Sequence, residues 1–341
     1  MTAIGESHEI VSKMSFEPSY IKLYKSGELK ERVERAEKLL NACTICPRNC
    51  LTNRIENEFG KCLSGYLPVV SSYTPHFGEE PVLSGTKGAG NIFFGNCNLK
   101  CVFCQNHEIS QNWKTESVNE VSFERLADIM IELQDKGCHN IGLVSPTHFS
   151  AQILKSIYIA IEKGLHLPII YNTNGYDSVE MIKLYEGVID IYLPDFKYGN
   201  DEYAKKYSKV DDYFEKAKLA IKEMYRQVGH QLTYEENVVV RGLIIRHLVL
   251  PNDLAETENV LKYIASELSP DIHLSVMAQY YPTFMSNRDI LIDRPIRESE
   301  YDRVLGLLDK YNLNNGWTQE MESIETYRPD FKGNREKPFS F

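Results

Sequence analysis

From residue 91 onward, short apolar and β-branched runs alternate with segments whose apolar residues recur every three or four positions. The runs occupy residues 91–94, 140–144, 168–171, 189–193, 238–250 and 273–280. Amphipathic segments at 122–136, 149–163, 178–186, 211–228 and 256–268 lie between them, and another at 298–311 follows the last run. Six repeats of strand then helix predict right-handed βαβ units and a parallel sheet. Six units are too few to close an eight-stranded barrel, so the expected fold is α/β, a partial (β/α)6 barrel.

The first 90 residues read differently. Residues 26–42 place Leu29, Val33, Ala36 and Leu40 on one face of an amphipathic helix. Residues 43–90 are rich in Gly, Pro and Ser and read as loop and turn, including the glycine run 85–90, which lacks the Lys-Ser/Thr ending of a phosphate loop. The expected organisation is a helix and cysteine-rich metal-binding segment (1–90), the barrel (91–325) and a tail (326–341), either a docked strap or frayed.

Composition narrows the field. With 43% hydrophobic and 25% charged residues, the 341-residue chain is that of an ordinary globular protein. Its net charge of −10 argues against nucleic acid and anionic membranes as partners, and the 21 tyrosines are scattered without a basic stripe. No apolar run is long enough to span a membrane, and Glu6, His8 and Glu9 stand where a signal peptide would be apolar. The expected location is cytoplasmic.

Seven of the eight cysteines fall between positions 43 and 104, which in a reducing compartment points to metal ligands or catalytic thiols. Cys97, Cys101 and Cys104 begin where the first barrel strand ends, the edge at which parallel sheets bind ligands. Three thiolates on a cubane cluster that ordinarily takes four leave one iron open. A zinc knuckle borrowing His107 or Cys138 is the alternative, although Cys138, after a helix-ending glycine, reads as a packed thiol. Cys43, Cys46, Cys50 and Cys62 supply four further thiols, enough for a closed zinc site or a second iron–sulfur cluster.

The run GNCNLKCVFCQN, with Phe103 before the last cysteine, resembles the signature of the radical S-adenosylmethionine (SAM) superfamily. Over roughly residues 40–325 the chain is similar to an uncharacterised branch near the pyruvate formate-lyase activating enzymes, sharing CTICPRNC, SPTHF, YNTNGY, YLPDFKY, MYRQVG, RHLVLPN and QYYP. The resemblance implies a radical SAM barrel whose Cys97, Cys101 and Cys104 hold a [4Fe-4S] cluster. Its open iron chelates SAM, and reductive cleavage gives a 5′-deoxyadenosyl radical that abstracts hydrogen. It also implies SAM contacts from Asn172 and Asn174, from Asp195 and Lys197, from Arg246 near the ribose and from Gln279 near the adenosine. Ser145, Thr147 and His148 replace the Gly-Gly-Glu loop of the activases, leaving open which atoms receive the SAM amino group. His247, on the opposite strand face from Arg246, is expected to be structural.

The expected partners are SAM, an electron donor such as flavodoxin or ferredoxin, and a glycyl residue of a protein substrate. A nucleoside or small metabolite is the alternative substrate. An electron carrier without catalysis is the alternative class.

Overall fold

The computed structural model describes residues 2–4, 16–323 and 328–339; the acidic stretch around Glu6 and Glu9 lies outside them. Among the described residues, ten strands form one sheet: β1 (Thr2–Ile4), β2 (Val70–His76), β3 (Ala89–Phe94), β4 (Ile141–Val144), β5 (Ile169–Thr173), β6 (Ile191–Pro194), β7 (Thr233–Glu235), β8 (Val238–Leu248), β9 (His273–Met277) and β10 (Gly316–Thr318). Their order is β1-β10-β9-β8-β6-β5-β4-β3-β2, with β7 paired to β8. The six strands expected from sequence are β3, β4, β5, β6, β8 and β9, and each pairs parallel with the next.

The expected helices connect them: Phe123–Asp135, Ser150–Glu162, Val179–Leu184, Tyr213–Val228 and Thr257–Tyr263, with Glu298–Lys310 after β9. Strand residues alternate between two faces. Ile92, Leu143, Tyr171, Tyr192, Ile245 and Leu274 face outward into the main core shared with the helices. On the inner face Ile170, Ile191, Leu193 and Ile244 meet Trp317 in a separate apolar layer. Phe93 of β3 and Met277 of β9 line a common cavity, so the sheet curls into a barrel. Its terminal strands β1 and β2 do not pair with each other, so it stays open.

The segment between β2 and β3 closes the inside. Pro81 starts the one-turn helix Pro81–Ser84, and fully buried Leu83 joins the inner apolar layer as a plug. Gly85 then turns the chain at φ +48°, where a Cβ would lie 2.8 Å from His139 and Val238.

The region 43–90 is thus more structured than its composition indicated. β2 is a full strand, antiparallel to β3, although it carries Ser71, Ser72, Thr74, Pro75 and His76. Its polar side chains are matched from far away: Ser71 donates to Glu116 and Ser72 to the Arg335 carbonyl. Arg335 belongs to the tail, of which residues 328–339 lie docked. Phe331 is fully buried against Phe93, and Phe339 packs against both Phe93 and His76. The helices Ser19–Ser26 and Asp201–Ser208 were also not anticipated.

Candidate active site

The loop after β3 carries three thiols at the mouth of the barrel, Cys97 and Cys101 buried and Cys104 half-buried. Asn96 takes a left-handed conformation (φ 66°), and the loop is pinned by Lys100 N–H to the Ser208 carbonyl (3.1 Å) and Val102 N–H to the Tyr207 carbonyl (2.8 Å). The Cys97 sulfur accepts from Leu99 N–H and from Asn174 Nδ2, each at 3.4 Å. Cys101 Sγ lies 2.9 Å from Ser208 Oγ, and Cys104 Sγ 3.2 Å from Ser110 Oγ. Burial pushes all three thiols up, Cys104 to about 12, where the Cys101 thiol adds to the effect. Lys197 acts against burial at Cys101. These sulfurs are therefore poor thiolates until a positive charge reaches them.

Beside the loop, Asp195 forms ion pairs with Lys197 at 2.5 Å and with Arg246 at 2.8 Å, and Arg246 reaches Glu79 at 3.3 Å. Burial alone would raise the Asp195 carboxyl; Arg246 and Lys197 outweigh it and hold the group below the usual carboxylate range. Asn172 Nδ2 donates to Glu79 at 3.3 Å and Asn91 Nδ2 at 2.8 Å. Arg246 and Asn172 line a cavity of about 100 Å³ with Gln279, Glu79, Glu80 and His76. Phe93, Val144 and Met277 form apolar wall, and Pro329 and Phe339 of the tail close over it.

The structure thus gathers Asn172, Arg246 and Gln279 around one cavity, with Asp195 and Lys197 tied to it through Arg246. Asn174 instead braces the loop, donating to Cys97 and to Asn98. His148 does not reach the cavity. Its ring Nε2 meets the Gly95 carbonyl at 2.8 Å, and burial first, then Arg54 and Lys100, lower its pKa to about 3. It is a neutral clamp behind the loop. Thr147 also points elsewhere, to Thr173 and the buried Asp177. Ser145 adopts φ 56° and is joined through its N–H to the Asn172 carbonyl. His247 bonds the Phe196 carbonyl and Thr257 on the outer face, as expected of a structural residue.

Sequence reasoning missed the cavity residues His76, Glu79 and Glu80. The available signal was two adjacent carboxylates in a Gly/Pro loop running straight into the apolar Pro81-Val82-Leu83.

Cys43, Cys46 and Cys62 are buried and Cys50 is half-buried. Burial and then the neighbouring Cys62 raise the Cys46 thiol, with smaller contributions from Cys43 and Cys50. Gly60 is required here, because a Cβ would lie 2.8 Å from the Cys50 sulfur. Arg48 ties the segment to the first loop, donating to the Asn98 carbonyl at 2.9 Å. Among the described residues no three His, Cys, Asp or Glu side chains stand closely enough to hold a metal ion as they are. A zinc ion would require its four sulfurs to meet at one point, whereas a cuboidal cluster binds each sulfur through a different iron.

A family model described as the radical SAM superfamily matches residues 91–243, from within β3 to the middle of β8. An uncharacterized protein of Methanocaldococcus jannaschii, MJ0674, is 33% identical over 92% of this chain and 89% of its own. The chain belongs to the radical SAM superfamily. A second uncharacterized protein of that organism, MJ0808, is 29% identical over 53% of this chain and 56% of its own length. The solved structure of methylornithine synthase aligns over 93% of this chain and 92% of its own, at a TM-score of 0.43 and 16% identity, a likeness too slight to inform substrate.

Radical SAM proteins use a [4Fe-4S] cluster and SAM, and the residues here fit that pair. Three free thiols share one loop, a backbone N–H donates to one sulfur and serine hydroxyls lie within hydrogen-bond distance of the other two, and a polar cavity adjoins the loop at Gln105 and Asn106.

Proposed function

We propose that this protein reductively cleaves SAM and uses the 5′-deoxyadenosyl radical to abstract hydrogen from a substrate in the barrel. The observation that carries the reading is the placement of Cys97, Cys101 and Cys104 on the loop after β3, beside a cavity lined by Asn172, Arg246 and Gln279. When bound, the cluster supplies one electron to the SAM sulfonium. The protein's residues do the rest: the three cysteines hold the cluster, and Ser208, Ser110 and Asn174 stabilise charge on their sulfurs. Arg246 and Lys197 offer cationic donors for a carboxylate, and Asn172 and Gln279 offer amides for hydroxyls or a base. Phe93, Val144 and Met277 exclude water from a reactive radical.

Reduced by a flavodoxin- or ferredoxin-like donor, or by dithionite in vitro, reconstituted protein is expected to convert SAM to 5′-deoxyadenosine and methionine. Cys101→Ala is expected to abolish the conversion. Intact SAM after full reconstitution would instead support the carrier class.

Two substrate classes divide on the tail. Pro329 and Phe339 over the cavity favour a small molecule; a glycyl loop of a partner protein requires residues 328–339 to leave. Deuterium transfer from a candidate substrate into 5′-deoxyadenosine distinguishes them.

Cys43, Cys46, Cys50 and Cys62 are proposed to hold a second metal centre. Metal analysis decides its nature: about four irons with one zinc identifies a zinc staple, and about eight irons an auxiliary cluster.

A further inference from the structure

Two carboxylates on the cavity wall have very different surroundings. Glu79 is engaged on both oxygens, by Asn91 and Asn172 on one and by Arg246 on the other. Glu80 is 1% exposed, and its Oε2 has no hydrogen-bond partner among the described residues. Ser275, also 1% exposed, stands next to this carboxyl and acts on it as a hydrogen-bonding neighbour, lowering its pKa, yet no contact of its hydroxyl or of Glu80 Oε2 among the described residues reaches hydrogen-bond geometry. A lone serine hydroxyl can donate one hydrogen bond to that carboxyl, which leaves acceptor capacity on both groups that a ligand with several donors would fill.

The charge around the cavity has a matching bias. Glu79, Glu80 and Asp195 are three carboxylates against the two cations Arg246 and Lys197, and both cations are already committed to Asp195, with Arg246 also on Glu79. Burial raises the Glu80 carboxyl, opposed first by Arg246 and reinforced by Glu79; a ligand cation beside it would favour the charged form that burial disfavours. The apolar wall of Phe93, Val144 and Met277 suits the carbon skeleton of such a ligand.

We propose that Glu80, with Ser275 beside it, is the specificity-determining contact for a cationic nitrogen, an ammonium or guanidinium, carried by the substrate. The inference rests on the reading of this cavity as the place where SAM, at Asn172, Arg246 and Gln279, meets the substrate of a radical SAM enzyme, at the Glu80 side. An ammonium has three N–H donors, so one nitrogen can serve the carboxyl oxygen and the hydroxyl together and cancel the surplus charge.

The test uses n-butylammonium and its neutral isostere n-butanol as probes on the reconstituted protein, without SAM and with saturating SAM, read by thermal unfolding. Butylammonium is expected to raise Tm saturably and n-butanol is not. Glu80→Gln is expected to weaken the apparent butylammonium affinity by roughly tenfold or more, the loss of one charge-assisted contact. Should Glu80→Gln fail to fold, Ser275→Ala provides the same comparison with a smaller loss. Equal responses to the two probes, or undiminished affinity in both variants, overturn the proposal. So does a butylammonium response that disappears once SAM is bound, since the recognised nitrogen would then be SAM's own. Wild-type protein that binds butylammonium through Glu80 but leaves SAM intact keeps this site and overturns the functional reading instead.

Discussion

At the scale of single residues, the site depends on groups held in one protonation state. His148 is neutral in the fold, with its pKa lowered to about 3 by burial, and its Nε2 holds the Gly95 carbonyl at the root of the cysteine loop. An unfolded histidine takes up a proton near pH 6.5, so the unfolded chain binds more protons than the folded one between about pH 6.5 and 3. Folding stability from this group is complete above about pH 6.5 and falls by about 1.4 kcal/mol per pH unit below it. His148→Gln, whose amide can replace the Nε2–H donor, is expected to flatten the slope of denaturant-measured stability between pH 6 and 4, within that same window; an unchanged slope would refute the assignment. The cysteine spacing and the charge of Arg246 within an apolar run were legible in the sequence because both are local. The placement of His148 was not, because its partner Gly95 lies 53 positions away. Glu79 and Glu80 escaped notice because only the fold carries their loop into the barrel.

At the scale of elements, periodicity conveyed the six parallel strands and their helices, since each inner face and each helix face repeats in the sequence itself. β2 and the tail were hidden for the opposite reason. The polar residues of β2 are buried only because Glu116 and Arg335 come to meet them. Arg335 pairs with Glu116, whose side chain is fully buried, at 2.8 and 3.1 Å, and the Phe331 and Lys332 N–H groups donate to Glu108. Arg335→Ala leaves that buried carboxylate without its cation, while Ser71 and Asn119 still donate to it. The expected cost is about 1–3 kcal/mol in chemical denaturation, with faster tryptic cleavage after Lys332. Unaltered cleavage would show that the strap is held by its phenylalanines alone.

At the scale of the whole molecule, an open, curled sheet is filled by apolar side chains at one end and by an ionic, half-accessible cavity at the other. Leu83 and its neighbours belong to the filled end; Asp195, Arg246, Glu79 and Glu80 belong to the cavity. The segment of Cys43–Cys62 reaches the loop of Cys97, Cys101 and Cys104 through Arg48, and the tail covers the cavity, so the two ends of the barrel sequence converge on one mouth. No helix among the described residues is long and apolar enough to cross a membrane. The central claim is that Cys97, Cys101 and Cys104 grip a cluster with one iron left for SAM. Electron paramagnetic resonance of the reduced protein carrying Ala at positions 43, 46, 50 and 62 isolates that cluster. The account predicts a [4Fe-4S]⁺ signal whose g-values shift when SAM is added; a signal indifferent to SAM, or none after reconstitution, contradicts it.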